Sequence, residues 1–315
     1  MKPGKDPLAL ASTASRPVHL LNRVLFLLSL IVVLLGNVTA QAFEVRDGDM
    51  KAILQTRLDA PVAWRYTPNS EIWIIDVPGL EVLGRTFNRV TQLKEHQYSE
   101  PYPRVLTTEE LTKYIGAANR TFASFAAGHD LRVSDLVQFF NYAERDKVEL
   151  FPEEYALRDF LVEQGLMKEW RGFYQAQKPH TMILSIPQVQ ERRSNEPGVT
   201  SNARYAILLH ELAHGEFHTN LAYNKYCRAF WEDSLTDTQK EAFRRFLASM
   251  RYAVENEELL INEMQAYLMF TPDAGSFSAT RLGVTEKALA GMREAFLKGR
   301  PPTRLPLNVK AGDAP

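Results

Sequence analysis

The chain has 315 residues, 45% of them hydrophobic and 24% charged, which suits one large or two modest folded domains of ordinary composition. Its formal net charge of -1 lacks the basic surplus of a nucleic-acid binder. Cys227 is the single cysteine, which excludes an intrachain disulfide and every cysteine-based zinc pattern.

Residues 1–40 read as a separate unit. Lys2, Lys5, Arg16 and Arg23 form a basic leader, and Val24 to Gly36 is an almost unbroken apolar run of 13. Val38-Thr39-Ala40 and Ala40-Gln41-Ala42 supply the small residues of a cleavage site, after Ala40 or Ala42. This is the layout of a secretory signal peptide, and the run falls short of the roughly 20 apolar residues a spanning helix needs. Without residues 1–40, which hold four basic residues and one acid, the chain carries -4. A lone cysteine is tolerable in an oxidising compartment. The expectation is a periplasmic or secreted protein with no stable membrane anchor after cleavage.

Residues 43–165 are expected to form a mainly helical N-terminal region. Glu71 to Val77 is β-branched and aromatic, and Pro78-Gly79 closes it, which predicts a strand and turn. Thr107 and Glu110 form a capping box for a helix running to about Ala127. Ser134 caps a second helix, and Pro152-Glu153-Glu154 opens a third, ending near Gly165. His129, in the connection Gly128-His129-Asp130, reads as a surface or capping residue.

Residues 166–300 carry the recognisable chemistry. Thr181 to Pro187 reads as a strand, and a polar loop leads to Ser201-Asn202 as the N-cap of the next helix. After that helix come an aromatic-rich segment from Tyr223 to Glu232 and a capping box at Thr236 and Gln239. Helices over about Asn256–Phe270 and Thr285–Lys298 follow. Residues 301–315 read as a disordered tail. The fold class is α+β, predominantly helical, with a small sheet and a helical C-terminal half.

Tyr205 to His214 is an apolar run ending in His210-Glu211-Leu212-Ala213-His214. Helical residues four apart lie about 40° apart around the axis, so His210 and His214 face one way, one turn apart. That spacing suits two imidazoles on one Zn2+ ion, with Glu211 beside it to handle protons. A catalytic zinc site takes a third protein ligand and leaves a position for water. His218 shares the face of His214, but three histidines on one straight helix span about 12 Å, too far for a single ion. Glu263 is the better candidate. It sits in an apolar stripe with Leu259, Leu260, Ala266, Tyr267 and Phe270, with no lysine or arginine three or four residues away. A buried carboxylate must be paired, neutralised or bound to a metal. Glu255, Glu257 and Glu258 compete weakly, because acids in a first helical turn need no metal to explain them.

H-E-x-x-H followed by Asn262-Glu263-Met264-Gln265-Ala266 on a later helix resembles the zincin metallopeptidases of the gluzincin type. The resemblance covers two helices. It implies a zincin-like core in about residues 166–300, with His210, His214 and Glu263 as zinc ligands and Glu211 as general base. Phe217 and Asn220 stand where metzincins need glycine and histidine, which excludes that branch. Glu216 replaces a usually hydrophobic residue. Tyr267 stands where thermolysin-like members keep the aspartate that orients one histidine, so that partner must come from elsewhere or be missing.

The implied activity is hydrolysis of peptide bonds in an exported protein. Glu211 takes a proton from zinc-activated water and later returns it to the leaving amine. His218, Tyr223 and Tyr267 are the candidate oxyanion donors, with Tyr226 also near in sequence. The strand 181–186 is the expected edge for an extended substrate. Two other classes remain open: a zinc-binding scaffold without turnover, and a zinc hydrolase of a non-peptide amide such as a cell-wall component. Glu211 argues against the scaffold, which has no need of a base.

Overall fold

Strands apolar at nearly every position are buried on both faces, and two segments here are built that way, with Asp76 and Ser185 as the exceptions. All six residues of Ile72–Val77 and all six of Met182–Pro187 are buried, and they pair in parallel at the centre of a five-stranded mixed sheet. The computed structural model describes residues 43–95 and 103–306. The leader with its cleavage positions and residues 307–315 lie outside them.

In chain order the elements are β1 (Glu44–Gly48), α1 (Met50–Gln55), β2 (Val62–Tyr66), β3 (Ile72–Val77), α2 (Leu80–Glu95), α3 (Thr108–Gly116) and the short α4 (Phe122–Phe125). Then come β4 (His129–Arg132), α5 (Val133–Asp146), α6 (Pro152–Glu163), the hairpin β5 (Met167–Trp170) and β6 (Phe173–Ala176), and β7 (Met182–Pro187). The rest is helical: α7 (Ser201–Thr219), α8 (Leu221–Ala229), a π-helical turn (Phe230–Ser234), α9 (Asp237–Ser249), α10 (Glu257–Phe270), the short α11 (Ala279–Leu282) and α12 (Glu286–Gly299). The α+β class holds, with 54% helix. Among the described residues no helix is long and apolar enough to cross a membrane.

The sheet order is β1-β2-β3-β7-β4. Alternation along β3 divides the core: Ile72 and Ile74 face α7 and the C-terminal helices, while Trp73 and Ile75 face α2, α5 and α6. Four of the five strands come from residues 43–165, where the described residues also form six helices, α1 to α6. The expected boundary at 165 divides the sequence and not the fold, because β7 inserts between β3 and β4. It also makes β7 an interior strand; the edges belong to β1 and β4.

The helix expected over 107–127 stops at Gly116. Thr107 and Glu110 do form the capping box, but Asn119 takes a left-handed φ of 55° and the chain restarts as α4. The N-cap of α5 is Arg132, with Asp135 accepting from its backbone N–H, and not Ser134. Thr200 caps α7 in place of Ser201-Asn202. The caps at Thr236, Asn256 and Thr285 form as their sequences dictate. Residues 301–306 are not a free tail: Leu305 is buried in the core and Arg304 pairs with Glu216 at 3.6 Å.

A buried ion pair fixes α7 to the sheet. Arg204 reaches both oxygens of Asp76 on β3, at 2.9 and 2.7 Å, and also donates to the carbonyls of Pro187 and Ile53. Trp64 and Gln188 donate to the same carboxylate, so the buried charge is fully met. One helical turn before the C-terminus of α7, a Cβ on Gly215 would stand 2.6 Å from Ile72 Cδ1. A side chain there would push the helix off the sheet. Start and end of α7 are thus both set against β3.

Candidate metal centre

A helix packed between a sheet and other helices must be apolar nearly all round. That describes α7, where the residues from Leu208 to Phe217 are buried except His210, which is half-buried. His210 and His214 face the same way, their Nε2 atoms 3.0 Å apart. Glu263 comes from α10, with Oε2 at 3.7 Å from His210 Nε2 and 3.8 Å from His214 Nε2. The point equidistant from three atoms so spaced lies about 2.0 Å from each, within the range of zinc–nitrogen and zinc–oxygen bonds.

The hydrogen bonds around the centre set these atoms up as ligands. Thr271, just past the end of α10, donates its hydroxyl proton to the Ala266 carbonyl at 3.0 Å. Its oxygen is left to accept from His210 Nδ1 at 2.7 Å. His210 therefore carries its proton on Nδ1 and turns the Nε2 lone pair into the site. This is the orienting partner that sequence reasoning lacked at Tyr267. Glu263 is 1% exposed, and its Oε2 has no hydrogen-bond partner. An orphaned buried carboxylate oxygen facing two imidazole nitrogens fits a divalent cation. His210, His214 and Glu263 are the residues that would hold it.

The metal-free electrostatics follow from crowding of acids. Burial pushes the Glu263 carboxyl up to about 7, opposed by His214 and reinforced by Asp130, while Tyr252 hydrogen-bonds it. Glu211 lies well above the usual carboxylate range through burial and the nearby Asp130, Glu263 and Glu95. Burial and His214 hold His210 well below its ordinary value. Burial acts downward on His214 too, but Asp130, Glu263 and Asn262 outweigh it and its value rises.

Glu211, 5% exposed, lies beside the three ligands, and its Oε2 is unpartnered. Its carboxylate fits against the backbone at Gly128: a Cβ there would stand 2.3 Å from Oε1. His210 and Glu211 line a cavity of about 420 Å³, whose walls include Gly128, Tyr252, Tyr267 and Thr271. Small residues, Ala123, Ala126, Ala203 and Ala206 among them, make much of its apolar lining.

The other expected site residues divide. Tyr267 is in the cavity wall, its ring edge-on to His210 at 4.7 Å between centroids. His218 lies one turn along α7, its Nε2 4.0 Å from Asp130 Oδ2, and lines a second, smaller cavity. Tyr223 is not at the site: it is fully buried in the core and donates to Gln265 at 2.8 Å. Tyr226 is spent on the Phe296 carbonyl. Asn262 and Gln265, also on α10, are buried as well.

His129 is not a surface residue. It sits 2% exposed on β4, bonded to Ser185 at 2.8 Å and Asn88 at 3.3 Å and stacked on Phe87. Strand alternation then turns its neighbour Asp130 toward the centre, where Oδ1 lies 4.0 Å from His214 Nε2. Sequence reasoning missed Asp130, Thr271 and Tyr252. Strand pairing across the sheet brings the first to the site, and chain reversals after α9 and α10 bring the other two.

Neither a family model, nor a curated protein, nor a solved structure matches this chain.

Proposed function

We propose that this protein is an exported zinc-dependent metallopeptidase of gluzincin-like design. The single observation that carries the reading is the convergence of His210 Nε2, His214 Nε2 and the orphaned Glu263 Oε2, with Glu211 beside them. When bound, zinc supplies Lewis acidity, acidifying water and polarising a carbonyl.

The chain's own residues do the rest. Glu211, wedged against Gly128, is the proton carrier. It takes the proton of the attacking water and delivers it to the departing amine. Its surroundings hold its carboxyl well above the ordinary range, which suits a group that must both accept and release a proton. Thr271 keeps the His210 lone pair on the ligand side. Tyr267, in the cavity wall, is the hydroxyl offered to a developing oxyanion; Tyr252 is hydrogen-bonded to Glu263, and Tyr223 is deep in the core. An extended peptide adds to the outer edge of β4, the terminal strand that carries Asp130. The apolar lining of the cavity receives a substrate side chain.

Zinc content and peptide cleavage test the reading in three proteins. Wild type binds one catalytic zinc ion and cleaves. Glu211→Gln keeps the ion held by His210, His214 and Glu263 and loses cleavage, and Glu263→Ala loses that ion and cleavage. Full zinc and activity in Glu263→Ala would overturn the ligand assignment. Zinc binding without hydrolysis of peptide or other amide substrates leaves the scaffold class instead.

A further inference from the structure

The acidic and imidazole groups beside the first centre exceed what one ion requires. Glu95, Asp130, Glu211 and Glu263 influence one another's charge across the site. The two basic residues in the wall of the adjoining cavity serve another acid: Lys94 Nζ is 2.8 Å from Asp135 and Arg132 Nε 3.0 Å from it. Glu211 Oε2 remains buried without a partner.

A second set of donor atoms meets one turn along α7. His218 Nε2 lies 4.0 Å from Asp130 Oδ2. The side-chain amide of Asn262, 4% exposed, lies 3.4 Å from that oxygen and 3.5 Å from that nitrogen. Both contacts are longer than an ordinary N–H···O hydrogen bond of about 2.7–3.2 Å. The point equidistant from these three atoms is about 2.1 Å from each, again a metal–ligand distance. Turning the Asn262 amide over presents its oxygen in place of its nitrogen. The turn gives up the long Asn262 amide contacts to Asp130 and His218, the hydrogen bond to His214 and a 3.5 Å contact from Gln265, whose nitrogen keeps its 2.9 Å bond to the Asn262 backbone carbonyl. A cavity of about 160 Å³ borders Asp130, His218 and Asn262 and leaves room for water ligands.

We propose that Asp130, His218 and Asn262 form a second divalent-cation site, with the Asp130 carboxylate lying between it and the first. Its Oδ1 faces His214 of the first centre and its Oδ2 faces His218 of the second, at 4.0 Å in each case. One carboxylate, one imidazole and one amide oxygen suit a borderline transition ion such as Zn2+ or Mn2+, and the imidazole disfavours Ca2+. The inference rests on the first centre being a metal site.

The test is metal stoichiometry on the full chain stripped with chelator and titrated with Mn2+ or Zn2+. Native mass spectrometry counts the ions, and electron paramagnetic resonance reads the manganese form. Wild type should saturate at two ions, with exchange-coupled Mn2+. His218→Ala should saturate at one and give the spectrum of isolated Mn2+. Asn262→Asp, which adds a carboxylate without changing shape, should bind the second ion at least about tenfold more tightly. It also supplies the decisive comparison if His218→Ala does not fold. Saturation of wild type at one ion overturns the second site and leaves the first intact, provided Glu263→Ala abolishes that binding. Two ions in His218→Ala, or unchanged affinity in Asn262→Asp, overturns it as well. No bound metal in wild type overturns both centres.

Discussion

Thr271 holds His210 from outside the centre: its oxygen accepts from Nδ1 at 2.7 Å because its own proton is committed to the Ala266 carbonyl. The pair decides which nitrogen of His210 is free for a metal. Thr271→Val removes the acceptor at nearly constant shape, so Nδ1–H is stranded and the ring loses its preferred tautomer. Zinc affinity should fall by about 10–100-fold. Thr271→Ser, which keeps the hydroxyl, should stay near wild type. Competition against a chelating dye measures both, and equal affinity in Thr271→Val and wild type would sink the orienting role.

Gly128 is the other residue that shapes the centre without touching the metal ligands. A methyl group there would collide with the Glu211 carboxylate and the carbons behind it. Gly128→Ala should leave zinc content at the wild-type level and lower peptide cleavage by about 10²-fold, the usual cost of misplacing a catalytic group by about 1 Å. Loss of zinc together with activity would mean that the substitution disturbs the ligands and not the base.

Much of the C-terminal half was legible because its signals are local. Capping boxes, an apolar helical stripe with one carboxylate in it, and H-E-x-x-H all act within one or two turns of chain. The two histidines and Glu263 could be paired on paper for that reason, and the structure brings them together. The N-terminal half was read only in part: the strand at 71–77 and the helices opened by Thr107 and Pro152 were legible, but β1, β2 and β4 are four or five residues long, and β4 reaches β3 only through β7. His129 looked like a loop residue for the same reason, and Asp130 beside it went unnoticed. Thr271 lies just past the helix that carries Glu263, but no spacing rule connects it to His210, 61 residues earlier.

The Asp76–Arg204 pair tests how the sheet positions the site. Both side chains are almost wholly buried, and they place the first turn of α7 against β3. Arg204→Met would leave Asp76 charged in the core with only Trp64 and Gln188 as donors. Unfolding free energy should drop by about 3–5 kcal/mol. The double change Arg204→Met with Asp76→Leu should recover a large part of it, because no stranded charge remains. Chemical denaturation of the two variants decides, and a single variant as stable as wild type would show the pair to be dispensable.

Stability of the metal-free protein should vary with pH in a direction set by Glu263. Its carboxyl is pushed from 4.5 up to about 7, chiefly by burial. A raised carboxylate favours the folded state fully below its unfolded value and loses that advantage as pH climbs through the folded one. Chelator-treated protein should therefore lose stability between about pH 4.5 and 7, on the order of 3 kcal/mol from this group. Glu211 and His214, both raised, act in the same sense, and His210 and His218, both lowered, act against it, so the Glu263 contribution is the difference between wild type and a variant that cannot ionise there. Zinc binding needs Glu263 ionised, so affinity should climb across the same window and each ion bound near neutral pH should displace protons. Thermal unfolding with and without zinc at pH 5 and pH 8, for wild type and Glu263→Gln, separates the contributions. The variant, which cannot ionise at this position, should flatten the metal-free trend. A Glu263→Gln variant whose metal-free stability changes with pH in the same way as wild type would contradict the assignment.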